Sequence, residues 1–205
     1  MISAKRKEPK RIARRWRFLA LGLALFLLGC SSMKIEDYAG TTPEFRPERF
    51  FEGETQAWGF FQDRFGTVRR EFFITTEGTV EGDVLTLIER FAYSDGINDE
   101  RTWTLTKTGA QSYEGTAHDV IGTAEVTVEG RAMRMAYDLN LKMNGREMQV
   151  HFVDWLFMQP NGVLMNKSTV SKFGVTIGEV IIFFQKVESA EQASLDQPKR
   201  ELAAQ

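Results

Sequence analysis

Residues 85–103 read LTLIERFAYSDGINDERTW. Two runs of alternating apolar and polar residues flank Asp95-Gly96, a pair that supplies the positive φ angles of a tight turn. Because a period of two indicates half-buried strands, this stretch predicts an antiparallel hairpin. The apolar face of its first strand comprises Leu85, Leu87, Phe91 and Tyr93. A carboxylate, Glu89, lies in the middle of that face.

The same alternation continues from residue 49 to residue 186. Turn-forming pairs such as Glu129-Gly130 and Asn161-Gly162 interrupt it at short intervals. No segment before the C-terminus has a helical stripe of apolar residues. The sequence predicts ten strands, at residues 56–64, 67–76, 84–93, 100–107, 111–118, 123–129, 131–142, 146–158, 162–171 and 176–186.

Ten short sequential strands leave exposed edges unless the sheet closes on itself. We therefore predict an all-β fold, an antiparallel up-and-down barrel of lipocalin or calycin type over residues 49–186. A flattened β-sandwich is the alternative. Trp58-Gly59, which follows a short approach segment, is similar to the entry motif of lipocalins.

The N-terminus carries a second kind of signal. A basic segment precedes the apolar run FLALGLALFLLG, residues 18–29, which is too short to span a membrane comfortably. We interpret residues 1–29 as a lipoprotein signal peptide. Leu27-Leu28-Gly29-Cys30 resembles the lipobox of bacterial lipoproteins, which implies cleavage before Cys30 and lipidation of its sulfur. The same resemblance implies the outer membrane, with the protein facing the periplasm, because Ser31 and not an aspartate follows the cysteine.

The remaining polar segments complete the predicted organisation. Residues 30–48, with Pro43 and Pro47, are predicted to form a lipidated tether, and residues 187–205 a polar C-terminal tail. Cys30 is the only cysteine, so we expect no disulfide, and stability must come from packing of the core.

Charge excludes several classes of function. Removal of residues 1–29 takes away eight of 26 basic and one of 28 acidic residues, which leaves 18 basic, 27 acidic and a net charge of −9. An acidic protein of this kind is not expected to bind nucleic acid or to dock on anionic lipid by charge. Because no Cys/His cluster or phosphate-binding glycine loop is present, we predict no metal and no cofactor.

Polar residues on predicted inward faces mark a candidate site. On the second arm of the hairpin, Arg101 and Trp103 share the apolar face, which places Arg101 within cross-strand or diagonal reach of Glu89. Asp154 interrupts the apolar row of the strand at 146–158. Asp119 continues the inward phase of the strand at 111–118.

A soft apolar wall accompanies these groups. Tyr137 lies in an inward row with Met133, Met135, Leu139 and Leu141, a surface suited to an irregular apolar ligand. The candidate ligand-binding residues are therefore Glu89, Arg101, Trp103, Asp119, Tyr137 and Asp154.

Three interpretations of the polar set remain open. A buried carboxylate must be paired or protonated, and one arginine cannot neutralise three acids, so at least one pKa should be raised unless Arg90 or Arg134 also turns inward. The set is either a Glu89–Arg101 ion pair that fixes strand register, a site for the polar head of a ligand, or an acid–base catalytic site. Val153, Trp155 and Phe157 share an outward face that is either a covered patch or a partner surface.

Several motifs in one order resemble a known family. They are FFEG, AWGFFQDRFG, LTLIERFAYSDG, ERTW, GTAHDVIGTA, VHFVDW and STVSKFGVTIGEV, which together span nearly all of residues 48–186. The set is similar to a group of proteobacterial lipoproteins known only as a domain of unknown function. The resemblance implies an envelope-facing β domain and a link to membrane fatty-acid modification, and it supplies no catalytic residues.

These observations lead to three hypotheses of function. The first is a lipid-anchored barrel that binds or carries an acyl chain or similar hydrophobic ligand. The second is an enzyme that uses Glu89, Asp119 or Asp154 in acid–base chemistry on a lipid-derived substrate. The third is a non-catalytic accessory subunit of an envelope complex that docks a protein partner through the outward aromatic face.

Overall fold

The structure is a computed structural model that describes residues 33–143 and 146–187, without the side chains of Lys142, Met143 and Arg146. The predicted signal peptide, the lipidation site Cys30 and residues 188–205 of the predicted tail lie outside the described residues. Within the described ranges, no helix has the length and apolar character needed to cross a bilayer.

The described chain begins with a 3₁₀ turn and a short helix and continues as ten strands. The 3₁₀ turn is Ile35–Tyr38 and helix α1 is Pro47–Phe51. The strands are β1 (Gly53–Asp63), β2 (Val68–Glu81), β3 (Val84–Tyr93), β4 (Asn98–Lys107), β5 (Ser112–Thr116), β6 (Val120–Glu129), β7 (Ala132–Met143), β8 (Arg146–Met158), β9 (Leu164–Lys172) and β10 (Val175–Lys186).

The strands form one closed antiparallel barrel. Each strand pairs with its neighbours in sequence, and β10 pairs with β1 to close the sheet. Closure satisfies the backbone groups that an open sheet would expose at its two edges. The predicted up-and-down barrel is therefore confirmed, and the sandwich alternative is wrong.

A small aromatic cluster plugs the end of the barrel at which β1 begins, hereafter the plugged end. Phe45, Phe50 and Phe51 are buried there, and the Phe51 ring contacts that of Phe184 edge-on at 5.5 Å. Gly78 allows this packing, because a Cβ at that position would lie 1.9 Å from the Phe51 carbonyl oxygen. Residues 35–48, predicted to belong to a tether, are instead packed on the barrel, because Phe45 and Pro47 supply apolar surface that the barrel end buries.

The opposite end, hereafter the open end, includes the turns after β1, β3, β5 and β9. One seam of the wall is short there. β4 pairs with β5 only over Thr104–Lys107, so the first part of β4 pairs with β3 alone. A register shift in β6 between Ile121 and Glu125 interrupts the neighbouring pairing with β7. The wall is therefore least continuous where β4 meets the β5–β6 connection.

The outward aromatic face of β8 is covered by the chain itself. The ring of Tyr38, in the 3₁₀ turn, lies 6.1 Å from Trp155 and 5.4 Å from Phe157. Trp155 and Phe157 stack on each other at 6.0 Å. Of the two interpretations of this face, the structure thus favours the covered patch.

Candidate functional site

The six predicted site residues form one connected group inside the barrel. The Tyr137 hydroxyl donates to Asp154 Oδ2 at 3.2 Å, and the Tyr137 ring meets Trp103 edge-on at 5.2 Å. The Trp103 indole N–H lies close enough to the Glu89 carboxyl to lower its pKa. Arg101 Nη2 donates to Asp119 Oδ2 at 2.6 Å, and Arg101 is the direct cross-strand neighbour of Glu89. We call these six residues the polar cluster.

Glu89 is buried, with 8% of its surface exposed. Burial raises the pKa of its carboxyl to about 7, against the opposing attraction of Arg101, and the charges of Asp154 and Asp119 raise it further. Near neutral pH this carboxyl is therefore divided between its acid and its ionised form. It can donate or accept a hydrogen bond there.

Asp154 is also buried and faces three polar side chains. Burial raises the pKa of its carboxyl to about 6, although the nearby hydroxyls of Ser168 and Tyr137 and the charge of Arg101 act in the opposite direction. Its Oδ1 atom is buried without a hydrogen-bond partner in the described part of the protein. An unsatisfied buried acceptor of this kind is unusual in native structures. A bound ligand with a hydrogen-bond donor could satisfy it.

Arg101, the cation of the polar cluster, pairs with Asp119 and not with Glu89. Arg101 Nε and Nη2 both donate to Asp119 Oδ2, at 3.1 Å and 2.6 Å. No salt bridge of Glu89 is present among the described residues. The hypothesis of a direct Glu89–Arg101 ion pair is therefore wrong, because the guanidinium reaches across the short β4–β5 seam to the connection that follows β5.

Asp119 lies in a different structural element from the predicted one. Strand β5 ends at Thr116, so Asp119 lies in a turn and not in phase on a strand. Its backbone carbonyl accepts from Asn140 N at 2.9 Å, which fixes the turn against β7. Its Oδ1 atom, like Asp154 Oδ1, is buried and has no hydrogen-bond partner in the part of the chain that the structure describes.

Three polar residues near the cluster were missed by the sequence analysis. Ser168 is the cross-strand neighbour of Asp154 on β9, and its hydroxyl lies 3.0 Å from Asn166 Oδ1. Arg70 lies at the open end, with its guanidinium carbon 3.5 Å from the centre of the Tyr93 ring. Alternation along β9 and β2 would have found all three, since each shares a face with buried apolar residues.

The remaining arginines considered for the interior do not enter it. Arg90 lies on the outer face, where it pairs with Glu77 at 3.6 Å and Glu100 at 3.2 Å. Arg134 alternates with the buried residues Met133 and Met135 along β7, which places it on the outer face as well.

The barrel interior differs above and below the polar cluster. Towards the plugged end the apolar side chains are buried, and these include Met133 and Met135, so the predicted soft wall is mostly core packing. Towards the open end the inward side chains are only partly buried. This second group, hereafter the open half, comprises Phe61, Phe72, Phe91, Leu141, Met148, Phe152, Ile177 and Val180.

The described residues contain no metal site. Nowhere among them do three His, Cys, Asp or Glu side chains converge in a geometry that could hold an ion. A groove of about 330 Å³ lies at the plugged end, between helix α1 and the turn at Asn161. None of the six residues of the polar cluster lines that groove.

Comparison with known proteins places the chain in a family. The family described as "Protein of unknown function (DUF3833)" matches residues 24–186, which is most of the chain. The chain belongs to the DUF3833 family. The predicted membership of a family known only as a domain of unknown function is thus confirmed, and no curated protein matches the chain.

A solved structure shares the fold of this DUF3833 chain. The S-type phycobiliprotein lyase CPES from Guillardia theta is similar over 77% of this chain and 94% of its own, with a TM-score of 0.52. The sequences are 9% identical, so the similarity concerns the lipocalin-like barrel alone.

Proposed function

We propose that the open half of the barrel binds a small amphiphile whose polar end meets the polar cluster. The observation that carries the proposal is a pair of buried carboxylate oxygens, Asp119 Oδ1 and Asp154 Oδ1, that have no hydrogen-bond donor among the described residues. Both belong to a cluster next to partly exposed apolar side chains. A few polar groups at the base of an apolar concavity are typical of ligand sites.

The charges of the cluster select the polar end of the ligand. One guanidinium faces two buried acids with raised pKa values and the carboxylate of Asp119. Both unsatisfied atoms of the cluster are acceptors, whereas the third buried atom without a partner among the described residues is a donor, Arg70 Nε, at the open end. A second carboxylate would be repelled, whereas a hydroxyl-bearing or amine-bearing head group supplies the donors that are lacking. We therefore favour an acyl ligand with a neutral or cationic, donor-rich head over a free fatty acid.

Aromatic rings of the open half suit the apolar part of such a ligand. Phe91 and Tyr93 stack at 5.8 Å, and Phe72 meets both of them edge-on. On the far wall Phe152 stacks on Tyr137 at 5.3 Å. An acyl chain between these walls would remove apolar surface from water on both of its sides, at roughly 25 cal/mol for each Å² buried.

The cellular setting is a further part of the proposal. We place the protein at the outer membrane, facing the periplasm, anchored through acyl chains on Cys30 and able to contact envelope proteins. The lipobox-like sequence and the preceding signal-like run support this placement. An acyl ligand in that compartment would connect the protein to membrane fatty-acid modification.

Matched amphiphiles test the ligand proposal. The full-length chain, embedded in nanodiscs, is incubated at pH 7.5 with dodecylamine, monolauroylglycerol or dodecanoate, and the bound species are measured by native mass spectrometry. We expect the amine and the glycerol ester to bind at least about tenfold more tightly than the carboxylate. The double variant Glu89→Gln/Asp154→Asn should lose most of this preference.

The control is Asp138→Asn, which removes a carboxylate that contacts His151 on the outer face. It should leave the preference unchanged. Absence of binding by all three amphiphiles, or a preference for dodecanoate, would show the proposal to be wrong.

Acid–base catalysis is the second candidate, favoured by the pKa values of Glu89 and Asp154 near neutrality. Glu89→Gln and Asp154→Asn each retain shape and remove proton transfer. If both variants fold, bind the amphiphile and restore the phenotype of cells that lack the protein, catalysis through these residues is excluded. The accessory-subunit hypothesis is weaker, because Tyr38 covers the outward aromatic face on which it depended.

A further inference from the structure

Three consecutive hairpin turns at the open end each expose one large apolar side chain. They are the β9–β10, β1–β2 and β3–β4 turns, which are adjacent because β10 pairs with β1 and β2 with β3. Phe173 is 96% exposed, Phe65 77% and Ile97 56%. We call this set of three turns the rim.

The two phenylalanines are presented by the same tripeptide. Arg64-Phe65-Gly66 and Lys172-Phe173-Gly174 both consist of a basic residue, a phenylalanine and a glycine at positive φ. In each, the cation lies over the neighbouring ring, at 4.8 Å for Arg64 and 5.4 Å for Lys172. Two separate turns thus carry the same side chains at the same end of the barrel.

Presentation of Phe173 is costly in the free protein. Its φ is +51°, in the left-handed region that bulky residues rarely adopt. The ring gains no burial in return, because it is almost wholly exposed. Residues held in such φ regions are concentrated at functional sites.

Two of the carboxylates close to the rim are already paired with other cations. Asp63 accepts from Arg69 Nε at 2.6 Å, and Asp95 accepts from Arg70 at 2.8 Å. Among the residues that the structure describes, Arg64 and Lys172 form no salt bridge. Two cations beside the two exposed rings therefore remain available to external anionic groups such as phosphates.

We propose that the rim docks on a phospholipid bilayer, with Phe65 and Phe173 inserted at headgroup depth and Arg64 and Lys172 at the phosphates. Aromatic rings next to basic side chains are the pattern of interfacial anchors. A bilayer fits better than a protein surface, because the two exposed rings stand on separate turns and each has a basic side chain beside it that can meet a lipid phosphate.

Insertion of apolar groups rather than net charge drives this docking. The acidic surplus of the chain opposes attraction to anionic lipid, so zwitterionic phosphatidylcholine suffices as a partner. The docked rim would place the open half directly against the bilayer. An amphiphile could then exchange between bilayer and barrel, a consequence that rests on the proposed ligand site, whereas the docking itself does not.

Site-specific fluorescence tests the docking. In a full-length Cys30→Ser background, a nitrobenzoxadiazole label is attached to Phe173→Cys or, as the control, to Asp83→Cys in the β2–β3 turn at the plugged end. With phosphatidylcholine vesicles we expect a blue-shifted emission at position 173 that lipid-borne quenchers reduce. Position 83 should show neither effect. Equal responses at both positions, or none at position 173, would overturn the proposal and leave a protein partner for the rim.

A second measurement separates the rim from the N-terminal apolar run. Phe65→Ser should weaken vesicle binding, read from the label at position 173, by about tenfold, since a full phenylalanine side chain leaves the bilayer. Val187→Ser, at an exposed apolar residue of the plugged end, should not weaken it. An equal effect of both substitutions would show that the rim is not the part of the protein that binds the bilayer. Ligand binding, measured without vesicles, should be unchanged by either, so failure here leaves the ligand proposal intact.

Discussion

Glu89 and Arg101 are direct cross-strand neighbours on β3 and β4, yet the guanidinium of Arg101 hydrogen-bonds Asp119. Asp119 lies in the turn between β5 and β6, beyond the point at which β4 and β5 stop pairing. The single inward cation of the polar cluster thus ties the two sides of the weakest seam together. Glu89 is left as a buried acid without a salt bridge among the described residues, and the charge of Arg101, followed by the Trp103 indole, only partly offsets the cost of its burial.

Stability should fall as the pH rises through neutrality. Burial raises the pKa of Glu89 from 4.5 to about 7, so its contribution is fully present below 4.5 and is lost as the pH rises through 7. Asp154, with a pKa raised from 3.8 to about 6, acts in the same direction. We expect the free energy of unfolding to decrease by about 4 kcal/mol between pH 5 and pH 7 and to change little from these groups above pH 7. Urea titrations at several pH values measure it.

Glu89→Gln should remove most of that decrease and stabilise the protein at pH 8 by about 1–2 kcal/mol, since a neutral amide needs no desolvation of charge. The control is Glu125→Gln on the exposed face of β6, for which we expect no change in the pH profile. A profile that is unchanged in Glu89→Gln would contradict the assignment of the titration to this carboxyl.

Arg101→Met should destabilise the protein by about 3 kcal/mol at neutral pH, because it leaves Asp119, Glu89 and Asp154 without a cation. Asp119→Asn should cost less, about 1–2 kcal/mol, since Arg101 can still attract Glu89. In both variants, hydrogen exchange should rise in peptides that cover residues 98–103 and 117–120. Faster exchange elsewhere in the barrel but not at this seam would argue against its role.

Gly78→Ala should displace the aromatic plug. The added Cβ meets the Phe51 carbonyl oxygen, a backbone atom that cannot move without helix α1. We expect a loss of about 2–4 kcal/mol in the free energy of unfolding and weaker near-ultraviolet circular dichroism from the buried phenylalanines. Thr79→Ala, at the neighbouring exposed position, serves as the control and should cost less than about 1 kcal/mol.

Tyr38→Ala should uncover the outward face of β8. The Tyr38 ring contacts Trp155 and Phe157, so its removal exposes both to water. We expect a red shift of tryptophan emission and new binding of a hydrophobic dye, with a modest loss of stability of about 1 kcal/mol. Unchanged emission would mean that the ring does not shield Trp155 in solution.

Local alternation was sufficient to predict much of the protein. The hairpin at residues 85–103 and the ten strands follow from a period of two and from turn-forming glycines, because side chains on a strand alternate strictly between its faces. The same rule placed Glu89, Arg101, Tyr137 and Asp154 on inward faces. Applied to β9, it would also have found Asn166 and Ser168.

Which side chains enter the barrel can therefore be predicted from each strand's own pattern of residues. The partners of those side chains depend on the folded structure. The short pairing of β4 with β5 places Asp119 beside Arg101. Closure of the sheet places the Phe65 and Phe173 turns side by side, and helix α1 packs against the plugged end of the barrel. These arrangements depend on strand register and on contacts between segments distant in sequence, which no local periodicity encodes.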